Sequence, residues 1–220
     1  IYAATADGIF LSTNHGISWT AVNNGLPSSP LVLSLAISGS NIFAGTIKGL
    51  YLSTNNGSSW ISVNNGLGSL LVNSFAINGS NIFAGTGNGV FKSTNNGSSW
   101  TSINNGITSQ QVNSLTVSGI NIFAGTGNGI YLSSNIGSNW TAANYGLTNI
   151  SAYRLATSGN NIFVGTSGGG VFLSTNNGSS WTAVNNGLTS LHIQSLATSG
   201  SNIFAASDVG VFLSPNIVST

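Results

Sequence analysis

The feature that most constrains this chain is a phrase it repeats. Ser93-Thr94-Asn95-Asn96-Gly97-Ser98-Ser99-Trp100 recurs, with small changes, at residues 12–19, 53–60, 133–140 and 174–181. Its tryptophans stand at Trp19, Trp60, Trp100, Trp140 and Trp181, so successive gaps are 41, 40, 40 and 41 residues. A period near 40 marks one supersecondary unit used repeatedly, each copy burying its apolar faces against the next.

One copy can be read from residues 72–103. Residues 72–77 are a β-prone run (strand a), and Asn78-Gly79-Ser80 makes a tight turn, because Asn and Gly tolerate positive φ. Residues 81–86 form strand b, Gly87-Asn88-Gly89 turns the chain, and residues 90–93 form strand c. The repeated phrase is then a turn, and residues 100–103 form strand d. Four short strands joined in this way are an antiparallel meander. Strands b and c place apolar residues on consecutive positions (Ile82-Phe83-Ala84, Val90-Phe91), which requires cover on both faces of the sheet. Meanders stacked face to face around an axis provide that cover, as in a β-propeller. A sandwich is the alternative, but it leaves the period unexplained.

Strands b and c occur six times, and strands a and d five times. The count favours an all-β, six-bladed propeller with incomplete first and last blades. A five-bladed ring, closed by pairing residues 193–198 with the first strand b, is the alternative. A degraded sixth box is expected at residues 214–220, with Ser214-Pro215-Asn216-Ile217-Val218 and no Trp. Residues 1–220 read as one propeller domain. The start at Ile1, inside a strand pattern and without Met or a signal peptide, reads as a processed product or a window from a longer chain.

The repeated phrase resembles the Asp-box (BNR) motif, Ser-x-Asp-x-Gly-x-x-Trp, of sialidases, sortilin-like receptors and photosystem II assembly-factor-like propellers. The flanking strands are similar to secreted bacterial Asp-box repeats. The resemblance implies that each box turns between strands c and d and that its Trp packs between blades. This chain departs at the acidic position, which holds Asn14, Asn55, Asn95, Asn135 and Asn176. Asn still accepts hydrogen bonds from turn amides, so the turn survives, but any charge or metal role for the box is lost. The five tryptophans also resemble sugar-stacking platforms. Their sameness in every copy suits a fold role better.

Composition narrows the function. Charged residues make up 2% of the chain, and the net charge of +1 rests on Lys48, Lys92 and Arg154 against Asp7 and Asp208. Nucleic-acid binding needs many cations facing phosphates, and anionic membranes need a basic cluster. Neither is available, and no apolar run approaches the ~18 residues of a membrane helix. Without cysteine there is no disulfide framework and no thiolate zinc site. No cofactor is expected, and no metal. Sialidase chemistry, as the resemblance would supply it, uses three arginines and a Tyr–Glu pair, whereas this chain has one Arg and no Glu. The chain therefore reads as a non-enzyme. Asp7 and Asp208 are the one pair left for a glycosidase, which needs two carboxylates about 5–9.5 Å apart.

Comparing the copies locates the candidate site. The boxes and a–b turns barely vary, whereas the b–c turns and the d–a loops (residues 148–154 and 189–192 among them) vary freely. In a meander these two connections emerge at one edge, which places the variable residues on one face, around the mouth of the axial channel. Loops on a rigid scaffold are where binding usually sits, although loops also drift where nothing constrains them. Tyr153, Arg154 and His192 lead the candidates, with Gln110, Gln111, Asp7, Lys48 and Asp208 beside them. The expectation is an extracellular or cell-surface module that binds a glycan or a protein surface. A structural spacer, adhesin segment or self-associating filament subunit is the alternative.

Overall fold

The computed structural model describes residues 1–215; residues 216–220, which hold most of the expected sixth box, lie outside the described residues. Strands begin and end where Asn and Gly turn the chain, as at Gly79 (φ 61°) between strands a and b of one repeat. The result is all-β, a six-bladed β-propeller with no helix among the described residues. Six antiparallel sheets form rather than five, so the alternative count falls.

The chain makes two compact units, Ile1–Ile103 and Asn104–Thr220, each holding three blades. In the first unit, blade 1 is β1 (Tyr2–Thr5), β2 (Gly8–Leu11) and β3 (Thr20–Ala21). Blade 2 is β4 (Val32–Ser38), β5 (Asn41–Thr46), β6 (Gly49–Ser53) and β7 (Ile61–Ser62). Blade 3 is β8 (Val72–Asn78), β9 (Asn81–Thr86), β10 (Gly89–Ser93) and β11 (Thr101–Ser102). In the second unit, blade 4 is β12 (Val112–Ser118), β13 (Asn121–Thr126), β14 (Gly129–Ser133) and β15 (Thr141–Ala142). Blade 5 is β16 (Ala152–Ser158), β17 (Asn161–Thr166), β18 (Val171–Ser174) and β19 (Thr182–Ala183). Blade 6 is β20 (Ile193–Ser199), β21 (Asn202–Ser207) and β22 (Gly210–Ser214). Blades 1 and 6 have three strands, as the strand count anticipates.

Strand d is shorter than expected, two residues rather than four. The Trp that precedes it turns its backbone N–H away from the ladder: Trp100 donates to the Asn65 carbonyl of blade 2's trailing loop (2.9 Å). Strands b and c of the middle blades are buried on both faces, as in β5 and β6. Phe43, Leu50, Val72, Ile82, Phe91 and Trp100 make one continuous core across blades 2 and 3. Phe123, Ile130, Ile162, Val164, Phe172 and Trp181 do the same across blades 4 and 5.

The box holds its own turn and then docks on the neighbouring blade. In blade 3, Ser93 Oγ donates to Asn95 Oδ1 (2.9 Å) and accepts from the Gly97 N–H (2.9 Å). Asn95 Oδ1 also accepts from the Ser99 N–H (3.0 Å), and Asn95 Nδ2 donates to Ser99 Oγ (2.9 Å). The serine–asparagine–glycine geometry recurs in all five boxes. The residue before the glycine takes the left-handed conformation in every copy, φ 54–59°, which explains Asn there in three of them. Docking follows. Trp100 Nε1 donates to the Val63 carbonyl (3.0 Å), and Gly97 rests on the ring of Phe43. The trailing loop answers with Gly66 (φ 86°), where a Cβ would lie 2.1 Å from the Trp100 carbonyl oxygen. In the second unit, Trp181 Nε1 donates to the Ala143 carbonyl and Gly178 rests on Phe123 in the same way.

Trp19 departs from the expectation of a box tryptophan packed between blades. It is 43% exposed, against 2–4% for the other four, because within its unit no blade stands on the side where a box Trp docks. At the other end of the repeat series, Gly187 has no described atom within 4 Å of a built Cβ.

Candidate functional site

Every strand a carries a bulge at the same place, between Val32 and Ser34, Val72 and Ser74, Val112 and Ser114, Ala152 and Arg154, and Ile193 and Ser195. A bulge leaves one residue out of the ladder and re-aims its side chain. The bulged residues are Leu33, Asn73, Asn113, Tyr153 and Gln194. Tyr153 and Arg154 are therefore not loop residues, as the reading of residues 148–154 as a loop implied. They sit on β16, at the bulge. Of the serines that fill Arg154's place elsewhere, Ser34 and Ser74 have Oγ buried without a partner. Ser114 Oγ does accept the Leu155 N–H, at 3.0 Å.

In the second unit Tyr153 stands between the other two leading candidates: its ring faces His192, and Arg154, the next residue, reaches toward blade 4. The Tyr153 and His192 rings lie 6.2 Å apart at 53°. Arg154 Nη1 donates to the Tyr153 carbonyl (2.9 Å) and reaches the Asn113 carbonyl on β12 at 3.5 Å. Asn113 in turn donates from Nδ2 to the Ala152 carbonyl (3.2 Å), locking β12 to β16 at this point. Desolvation lowers the Arg154 pKa from its ordinary value, and Tyr153 partly offsets this. A guanidinium still stays charged at neutral pH.

The loop carrying His192 is tied down on both sides. Leu191 accepts backbone bonds from Gly168 (3.0 Å) and Gly170 (2.9 Å), and Ser167 Oγ lies 3.4 Å from His192 Nδ1. Ser190 Oγ donates to Asp208 and accepts the His192 N–H at 3.3 Å. So b–c turns and d–a loops do meet at one edge. In the first unit, Lys48 Nζ likewise donates to the Ser28 carbonyl of the preceding loop (2.7 Å).

Of the remaining candidates, Asp208 holds the His192 loop through Ser190. Gln110 and Gln111 are exposed just before β12, two to three residues from Asn113. Asp7 and Lys48 belong to the first unit, and Asp208 to the second. With no Glu in the chain, each unit holds a single carboxylate side chain, so neither contains the pair a glycosidase uses. Ser167 and His192 do not amount to a nucleophile and base either, because Asp208 engages Ser190 rather than the imidazole. Sequence reading passed over Asn113, Ser167 and Ser190. Asn113 occupies Tyr153's position one copy earlier, so aligning copies one residue further into strand a exposes it.

A family model described as a DUF6242 beta propeller domain matches residues 77–203, more than half of the chain. No curated protein matches it. Among solved structures, an ancestral GH74 enzyme is similar at 22% identity and TM-score 0.74, over 96% of this chain and 34% of that one. The extracellular domain of the one-component system BT4673 from B. thetaiotaomicron is similar at 20% identity and TM-score 0.79, over 96% of this chain and 30% of that one. YCF48 bound to D1 peptide is similar at 14% identity and TM-score 0.74, over 98% and 74%. The chain spans about a third of the length of the first two. At these identities the likeness is one of fold.

Proposed function

This chain belongs to the DUF6242 beta propeller family, and from that premise we propose that it is a non-catalytic extracellular binding module. Its ligand is a glycan, held at the Tyr153–Arg154–His192 edge of the second unit. We read the five boxes as Asp-box repeats with asparagine in the acidic position, serving the fold. The observation that carries the binding role is the one arginine, set beside an exposed aromatic pair. Arg154 replaces the serine of every other copy, and Tyr153, beside it on the bulge, faces His192, both at positions that vary from copy to copy. Residues that serve the repeat are repeated; Arg154 breaks a repeated serine. Aromatic faces with fixed polar groups around them suit sugar rings and hydroxyls. An extracellular setting is supported by similarity to the extracellular domains of sensor proteins from B. thetaiotaomicron.

A glycan array probed with the purified protein, alongside a Tyr153→Ala/Arg154→Ala variant, tests this. Selective binding that the double variant loses is the expected result. A folded protein that binds no glycan overturns it.

A further inference from the structure

From Arg154 we infer that the ligand's defining group is a carboxylate: the edge takes an acidic sugar, a hexuronate within a glycan. This rests on the glycan reading above and narrows it.

Arg154 is the chain's only arginine, and the second unit contains no lysine. At the equivalent position the other copies carry Ser34, Ser74, Ser114 and Ser195. Folding therefore does not call for a cation there. Yet the side chain is not loose. Nη1 is tethered to the Tyr153 carbonyl and directed toward that of Asn113, two neutral acceptors on adjacent blades. Among the described residues Arg154 makes no ion pair, and the unit's one carboxylate side chain, Asp208, is engaged by Ser190. The guanidinium is thus oriented through Nη1, leaving its Nε–Nη2 edge to a ligand. That edge presents two parallel N–H donors at the spacing of a carboxylate's oxygens. The desolvation that lowers the Arg154 pKa acts in the same direction, since an incoming anion restores what burial removed.

Beside the charge stands a flat surface. Tyr153 is 39% exposed, and its ring meets His192 at an angle that forms a corner. A pyranose offers an apolar C–H face to such a ring and hydroxyls to exposed amides such as Gln111 and Gln194. A hexuronate carries both elements, a ring face and an equatorial carboxylate. Ile150 and Leu191, both exposed, flank the loop.

The test uses an oligogalacturonide and its methyl ester, identical but for the charge. Four proteins are titrated with each: wild type, Arg154→Ser, Arg154→Lys and Tyr153→Ala. Arg154→Ser restores the residue the other copies carry, so it folds. The expected result is at least about tenfold tighter binding of the acid than of the ester by wild type. Arg154→Ser should bind acid and ester alike, and Arg154→Lys should recover only part of the preference, because an ammonium lacks the fork. Tyr153→Ala should weaken both ligands equally. Equal binding of acid and ester by wild type overturns the inference while leaving the glycan reading standing. Array binding confined to uncharged glycans does the same. No binding to any glycan overturns both, and binding of an acidic peptide in its place assigns the edge to a protein ligand.

Discussion

The asparagine of each box does two things with one amide. Its Oδ1 takes the Ser99 N–H, which fixes which way the amide faces, and its Nδ2 then meets the hydroxyl of the same serine, four residues on. Removing it orphans the partly buried Ser93 hydroxyl and frees the exposed Ser99 N–H. Asn95→Ala is expected to cost about 1–3 kcal/mol by urea denaturation. Asn95→Asp behaves differently. The carboxylate keeps the acceptor, and the Ser99 hydroxyl can rotate to donate to it, so stability near neutral pH is retained. A carboxylate that accepts such bonds has its folded pKa depressed. Its contribution is then present above the unfolded pKa and lost as pH falls through the folded one. Melting curves at neutral and acid pH should thus separate the Asn95→Asp variant from wild type only in acid.

At the scale of the blade, the joint is a plug and a socket. The plug is the box, with Trp and Gly; the socket is the Asn-Asn-Gly that follows strand d, with a Phe on strand b beneath it. Gly66 and Gly187 share the same φ of 86° and differ in what they face. Gly66→Ala drives a methyl into the Trp100 carbonyl, whereas Gly187→Ala meets nothing described. Both substitutions carry the left-handed strain of about 1 kcal/mol, and Gly66→Ala should lose several kcal/mol more, read as the difference between two thermal melts. Equal losses would mean that backbone conformation alone selects glycine there. Much of this level is legible in the sequence. Periodicity and turn residues give the strands b and c almost to the residue, along with the blade count and the two incomplete blades. The bulge was not legible. Tyr153-Arg154 breaks the pattern that Val-Asn-Ser sets, so the sequence alone starts strand a of this copy later than Ala152. Nor was the exposure of Trp19, because the box is written identically whether or not a neighbouring blade exists to receive it.

For the whole molecule, the scarcity of charge is the controlling fact. With 2% charged residues and a fold held by amides, hydroxyls and apolar packing, salt has little to screen. The midpoint of thermal unfolding should shift by no more than about 2 °C between 0.05 and 0.5 M NaCl, after allowing for the effect of salt on burial itself. Binding of an acid at Arg154 should weaken over the same range, so the two measurements separate scaffold from site. The scaffold is readable because it is written five times; the candidate site is readable only as deviation, and the chemistry proposed for it rests on the geometry of Asn113 and the bulge. The joint also bears on ancestry. Each inner repeat brings a plug for its predecessor and a socket for its successor, so about forty codons carry one complete joint. A gene built this way can recombine in register, and one copy can change at its variable edge while its siblings hold the architecture.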